Sequence, residues 1–162
     1  MRKTFALFYF FAASITYGQK GTNTLKINTG AEIPSGVFGD NFNTGWGAYG
    51  SAYHSIGPQT SVLLSTGLAS WSAKDYEDFK VGIFLTRIGI RHFIPRKFYL
   101  QMDGGIGVGL KEWNGTNRPA FGIGPGYLFQ TKKGNGVDLS ARFNRSFDRS
   151  WFGLALGYEF KL

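Results

Sequence analysis

From Trp151 to the end, the chain alternates without a break. Phe152, Leu154, Leu156, Tyr158, Phe160 and Leu162 fall on one face; Trp151, Gly153, Ala155, Gly157, Glu159 and Lys161 fall on the other. A helix would scatter these residues around a cylinder, whereas a strand sends successive side chains to opposite faces. The same period of two runs through Leu25–Ile33, Phe98–Leu110, Ala120–Gln130 and Val137–Asn144. Lys80–Ile94 follows it too, with an upper half apolar on both faces. Trp46–Ile56 and Thr60–Trp71 complete eight segments, although Tyr49 and Tyr53 leave the facing of these two open. The expected fold is therefore all-β, and 162 residues make it one domain.

The connections carry a second signal. Gly57-Pro58-Gln59, Pro95-Arg96-Lys97 and Lys132 to Asn135 are short and rich in turn residues, while Pro34–Asn43, Ser72–Asp78, Glu112–Arg118 and Arg145–Arg149 are generally longer. Short and long links alternating between an even number of strands predict an antiparallel up-and-down barrel, with turns at one end and loops at the other.

Two barrels fit such alternation: a soluble one with an apolar lumen, and a membrane one with the reverse. The apolar faces carry no Lys, Arg, Asp or Glu, and the opposite faces carry Lys26, Glu32, Asp103, Asp138, Arg142, Glu159 and Lys161. A soluble barrel would turn those charged faces outward, together with Gly105, Gly107, Gly109, Gly122, Gly124 and Gly126. Glycine is poorly suited to an ordinary strand surface. It suits a wall that bends, or one facing bulky side chains. Phe93, Phe98, Tyr127, Phe129, Tyr158 and Phe160 lie towards strand ends, where membrane barrels place aromatic girdles. These features favour the transmembrane barrel and leave the secreted, ligand-binding soluble barrel as the alternative.

The N-terminus reads as an address. Arg2 and Lys3 precede an apolar run from Phe5 to Ile15, followed by Thr16-Tyr17-Gly18 and Gln19. This is the pattern of a secretory leader cut at Gly18/Gln19. The run is about half the roughly 20 residues of a spanning helix. The expected organisation is thus a leader over 1–18 and a barrel over 19–162.

With the strings GGIGVGLKEW, FGIGPGYLF, RIGIRHFI and the ending FGLALGYEFKL, the chain from about residue 23 resembles the small OmpA/OmpX-type outer-membrane barrels. The resemblance implies an integral protein of the outer membrane of a Gram-negative bacterium, inserted by the barrel-assembly machinery. Those families often end on an aromatic residue; here Leu162 is last and Phe160 stands two before it.

An eight-stranded barrel has room inside for side chains and little else. Inward charges in so dry a space must pair. We therefore expect a packed polar lumen plugged by an ion-pair network of Glu32, Arg87, Arg91, Asp103, Asp138, Arg142 and Glu159.

Other motifs carry less. Gly105-x-Gly107-x-Gly109 and Gly122-x-Gly124-x-Gly126 lack the last spacing of a nucleotide loop and precede no helical pattern. Asn114-Gly115-Thr116 and Asn144-Arg145-Ser146 are sequons with little meaning in a bacterium. With no Cys and only two His, no metal site and no cofactor are expected. The formal charge of +8 is scattered and matches no nucleic-acid motif. His54 and Ser55 are adjacent on one strand and so face opposite ways, which excludes a nucleophile–base pair between them. His54 and His92 read as girdle residues beside short turns. Lys111, Arg118, Arg145 and Arg149 fall on the third and fourth outer loops, where they are candidates for lipopolysaccharide phosphates. The second loop, Lys74-Asp75-Tyr76-Glu77-Asp78, is acidic and suits a divalent cation or nothing.

The expected role is a monomeric, non-enzymatic barrel, structural or adhesive or serving envelope integrity, in contact with outer-membrane lipid and lipopolysaccharide. A lipid A-modifying enzyme and a narrow small-solute channel are the remaining alternatives.

Overall fold

The computed structural model describes residues 21–76, 78–94, 97–111, 117–131 and 134–162. The expected leader and its cut lie outside these residues, as do Glu77, Pro95, Arg96, Lys132 and most of the Glu112–Arg118 connection, including its sequon. The eight alternating segments form β1 (Asn23–Ser35), β2 (Gly45–Ser55), β3 (Thr60–Ser72), β4 (Lys80–Phe93), β5 (Phe98–Lys111), β6 (Asn117–Gln130), β7 (Gly136–Ser146) and β8 (Arg149–Lys161). A short helix, α1 (Val37–Asn41), lies between β1 and β2. Each strand pairs antiparallel with the next, and β1 closes on β8 from Thr24↔Lys161 to Ser35↔Ser150. Closure leaves no exposed strand edge. The eight strands form the closed wall, and no helix among the described residues is long and apolar enough to cross a membrane.

The two ends differ. At the turn end the Leu162 amide donates to the Asn23 carbonyl at 2.9 Å, placing the start of β1 and the end of β8 beside the links β2–β3, β4–β5 and β6–β7. At the loop end one expectation holds and one needs correction. The Pro34–Asn43 link is long, as expected, and contains α1, whose Phe38 is buried in the barrel mouth. The Arg145–Arg149 link is no long loop: Ser146 pairs with Arg149, leaving a turn of Phe147 and Asp148 with Phe147 at φ 56°. Charge misled the reading there, because strand ends beyond the apolar belt carry charge without leaving the ladder.

The wall is inverted relative to a soluble protein. Ile27 (66% exposed), Phe121 (60%), Leu156 (58%), Leu139 and Met102 all point outward. Between Lys80 and Arg145 at the loop end and His54 and His92 at the turn end, the outward positions of the described strands carry no charged side chain. So continuous an apolar surface far exceeds the largest patches of soluble monomers and has the form of a hydrocarbon-facing belt. Phe98, Tyr127, Phe129, Tyr158 and Phe160 ring its turn end, with Tyr127–Phe129 and Tyr158–Phe160 centroids 4.6 and 4.7 Å apart. Phe93 does not join that girdle. It faces inward, 5.5 Å from the Tyr99 ring and 4.9 Å from the Arg91 guanidinium. Tyr49 and Tyr53 also turn inward and are buried.

Candidate functional site in the barrel lumen

The lumen is filled in tiers. Nearest the turn end, the Lys26 Nζ lies 3.0 Å from Asp138 Oδ1, and the Tyr99 hydroxyl donates to Asp138 Oδ2 at 2.6 Å. Arg91 grips Glu159 with two bonds, of 2.6 and 3.1 Å, while its guanidinium stacks 3.7 Å from the Tyr53 ring centroid. A two-pronged Arg–carboxylate pair fixes geometry as well as charge. Gln101 links upward: it accepts from the Tyr53 hydroxyl at 3.1 Å and donates to Asp103 at 3.1 Å.

In the middle tier Asp103 is shared. Arg87 Nε lies 3.2 Å from Oδ1, and Arg142 pairs with Oδ2. Arg87 also donates to Asn144 Oδ1 at 2.8 Å. Space for these long side chains comes from glycine: a Cβ on Gly122 would collide with Arg142, and one on Gly126 with the Tyr99 ring. Among the described residues, four cations, Lys26, Arg87, Arg91 and Arg142, thus share the lumen with four carboxylates, Glu32, Asp103, Asp138 and Glu159. The equality needs no extra ion to offset the buried charge.

The structure brings six of the seven expected network residues into ion pairs and adds Lys26. The alternation placed Lys26 inward, but the expected network omitted it. Glu32 differs. Among the described residues it makes no ion pair, and it accepts instead from the Tyr49 hydroxyl at 2.8 Å. It sits where the polar tiers meet an apolar one. Above it the Trp71 and Trp151 rings meet edge-on at 5.2 Å, and Phe38 packs on Trp71 at 5.1 Å. Val81, Ile83, Leu85, Ala69, Ala120 and Tyr49 belong to the same cluster, and Phe42 packs against it. The expectation of a polar lumen throughout is therefore corrected: the loop-end half is an apolar core. The sequence signal was present in β4, whose upper half is apolar on both faces because it meets hydrocarbon outside and this cluster inside. Trp71 joins the two halves, its Nε1–H donating to the Glu32 carbonyl at 2.9 Å.

Tyr49→Phe removes the donor to Glu32 while keeping the ring. We expect a loss of about 1–3 kcal/mol, the cost of leaving a buried acceptor without its partner. Urea unfolding of the refolded barrel in lipid vesicles measures it, and an unchanged midpoint would remove Glu32–Tyr49 from the network.

The basic residues expected on outer loops lie on strand ends: Lys111 closes β5, Arg118 is in β6, Arg145 in β7 and Arg149 opens β8. Arg118 and Arg145 converge on Phe147. The Arg118 guanidinium lies 5.0 Å from the ring centroid, and Arg145 Nε donates to the Phe147 carbonyl at 3.2 Å. Arg149 lies 4.0 Å from Asp148. On the second loop Asp75, Tyr76 and Asp78 are exposed, and Lys74 donates to the Gly39 carbonyl at 2.6 Å, tying this loop to α1. No three described His, Asp or Glu residues cluster as metal ligands. His54 and His92 point outward near the turn end, hydrogen-bonded to Asn23 at 2.7 Å and Thr60 at 2.9 Å.

No family model and no curated protein matches the chain. Solved structures do. Neisserial surface protein A is similar with a TM-score of 0.69 and 12% identity, over 86% of this chain and 97% of that one. The attachment invasion locus protein Ail of Yersinia pestis gives 0.59 and 14%, over 88% and 100%. A de novo designed transmembrane β-barrel gives 0.52 and 12%, over 90% and 98%. At such identities the likeness is one of fold, that of the small eight-stranded transmembrane barrels.

Proposed function

We propose, with the fold of the small outer-membrane barrels as the premise, that this chain is a sealed, monomeric, non-enzymatic barrel of a Gram-negative outer membrane that serves envelope integrity. On this reading residues 1–18 direct export, the barrel-assembly machinery inserts the mature chain, and the turn end faces the periplasm. The observation that carries it is the double closure of the lumen. A charge-balanced ion-pair network fills the turn-end half, and the Trp71–Trp151–Phe38 cluster fills the loop-end half. Either tier alone would obstruct an eight-stranded lumen, and a conduction path needs both to open. The apolar belt supports the membrane location independently.

Single-channel recording in planar bilayers tests the sealed lumen: the purified protein is expected to give no large, stable openings, and regular openings would contradict the reading. For the role in the cell, deleting the gene is expected to sensitise the bacterium to detergents. Unchanged sensitivity would argue against envelope integrity.

A further inference from the structure

Among the described residues, the apolar belt carries an open depression. Outward positions on the middle of β4 to β7 are mostly large, as at Ile88, Met102, Phe121, Ile123 and Phe143, but Gly104 carries no side chain, and Thr86 and Ala141 are small. Gly104 pairs with Ile88 on one side and Phe121 on the other, and Phe121 pairs in turn with Arg145. The row Ile88–Gly104–Phe121–Arg145 therefore crosses the wall obliquely. It begins midway along β4, passes the middle of β5 and ends at the loop-end tip of β7. A trough of about 580 Å³ runs along this row, with Gly104 in its floor, the Phe121 ring beside it, and Met102, Ile123 and Phe143 in its walls. Its lining is apolar but for Arg145 at the loop end and Asp103, whose carboxylate is turned into the lumen.

We propose that this trough seats an acyl chain of a phosphorylated lipid of the loop-side leaflet, lipid A on the reading above, with a lipid phosphate held by Arg145. Three features converge. An acyl chain needs an elongated apolar channel open to hydrocarbon, and the trough provides one. The phosphate needs a cation at the level of the headgroups, and Arg145 is the outward-facing cation at the end of the trough. Its Nε–H is used on the Phe147 carbonyl, which fixes the guanidinium and leaves the Nη groups to grip phosphate oxygens. Arg118, against the Phe147 ring, adds a second positive charge beside it. The unusual backbone of Phe147, at φ 56° with the ring 64% exposed, positions an aromatic at the same height.

The proposal rests on the membrane reading, and the test separates the two. Wild-type protein is refolded into phosphatidylcholine vesicles, extracted into micelles and offered lipid A or dimyristoyl phosphatidylcholine, with bound lipid counted by native mass spectrometry. Retention of lipid A over phosphatidylcholine is expected. Gly104→Leu, which fills the trough with a side chain as apolar as its neighbours, and Arg145→Gln are each expected to reduce retention about tenfold or more. Both should keep the gel-mobility shift of the folded barrel. Leu156→Phe, outward on the opposite wall, should leave retention unchanged. Equal retention of the two lipids, or full retention of lipid A by folded Gly104→Leu, would overturn the proposal alone. Failure of the wild type to insert into vesicles would overturn the membrane reading and the proposal with it.

Discussion

Asp138→Leu is expected to destabilise the barrel by about 3–5 kcal/mol, because it strands the Lys26 ammonium in the lumen without a counter-charge. Asp138 is 0% exposed and Lys26 4%, so water cannot take over the role of the carboxylate. The same change removes the acceptor of the Tyr99 hydroxyl. The effect belongs to the unpaired charge rather than to the loss of attraction, and a double variant shows the difference. Replacing both partners, as Lys26→Met with Asp138→Leu, removes the buried charge altogether, and buried pairs exchanged for apolar residues are often neutral in stability. The double variant should therefore recover most of what the single one loses. Urea unfolding in phospholipid vesicles, followed by tryptophan fluorescence, measures both. A single variant within about 1 kcal/mol of wild type, or a double variant no better than the single, would contradict a dry, paired lumen.

Leu154→Arg should cost about 2–4 kcal/mol in the same assay, the price of an arginine near the bilayer midplane. Leu154 lies outward near the middle of β8 and is 52% exposed. The same substitution at Phe160, in the turn-end girdle, should cost only about 0–1 kcal/mol, since a long side chain there reaches water. The contrast between the two positions is the informative quantity. On a water-facing wall both would be nearly neutral, because both side chains are open to the surroundings.

Much of this architecture was legible because a strand's period of two is a local property. On β8 the alternation assigned each face without knowledge of any partner, and β5, β6 and β7 behaved alike. Strand facing was hidden on β2, where Ala48, Gly50 and Ala52 on the outer side are too small to contrast with Tyr49, Ser51 and Tyr53 on the inner. Tyrosine, apolar in body and polar at its tip, suits either side of such a wall. Which inward cation meets which carboxylate depends on barrel register, so Lys26–Asp138, 112 residues apart, was not readable from either segment. The apolar loop-end tier was missed because inward Val81, Ile83 and Leu85 on β4 meet Trp71 from β3 and Trp151 from β8 only after closure. The trough likewise needs Gly104, Phe121 and Arg145 from three strands brought into one row. A single glycine in a glycine-rich strand gives no hint of that neighbourhood.

Because the chain contains no cysteine, single-cysteine labelling can read the wall's facing directly. Spin labels on Leu154→Cys and Leu156→Cys, in vesicle-embedded protein, should collide freely with oxygen dissolved in hydrocarbon. A water-soluble nickel chelate should not reach them. Strong quenching by the chelate at both positions would show that this face meets water, and the inverted barrel would have to be abandoned.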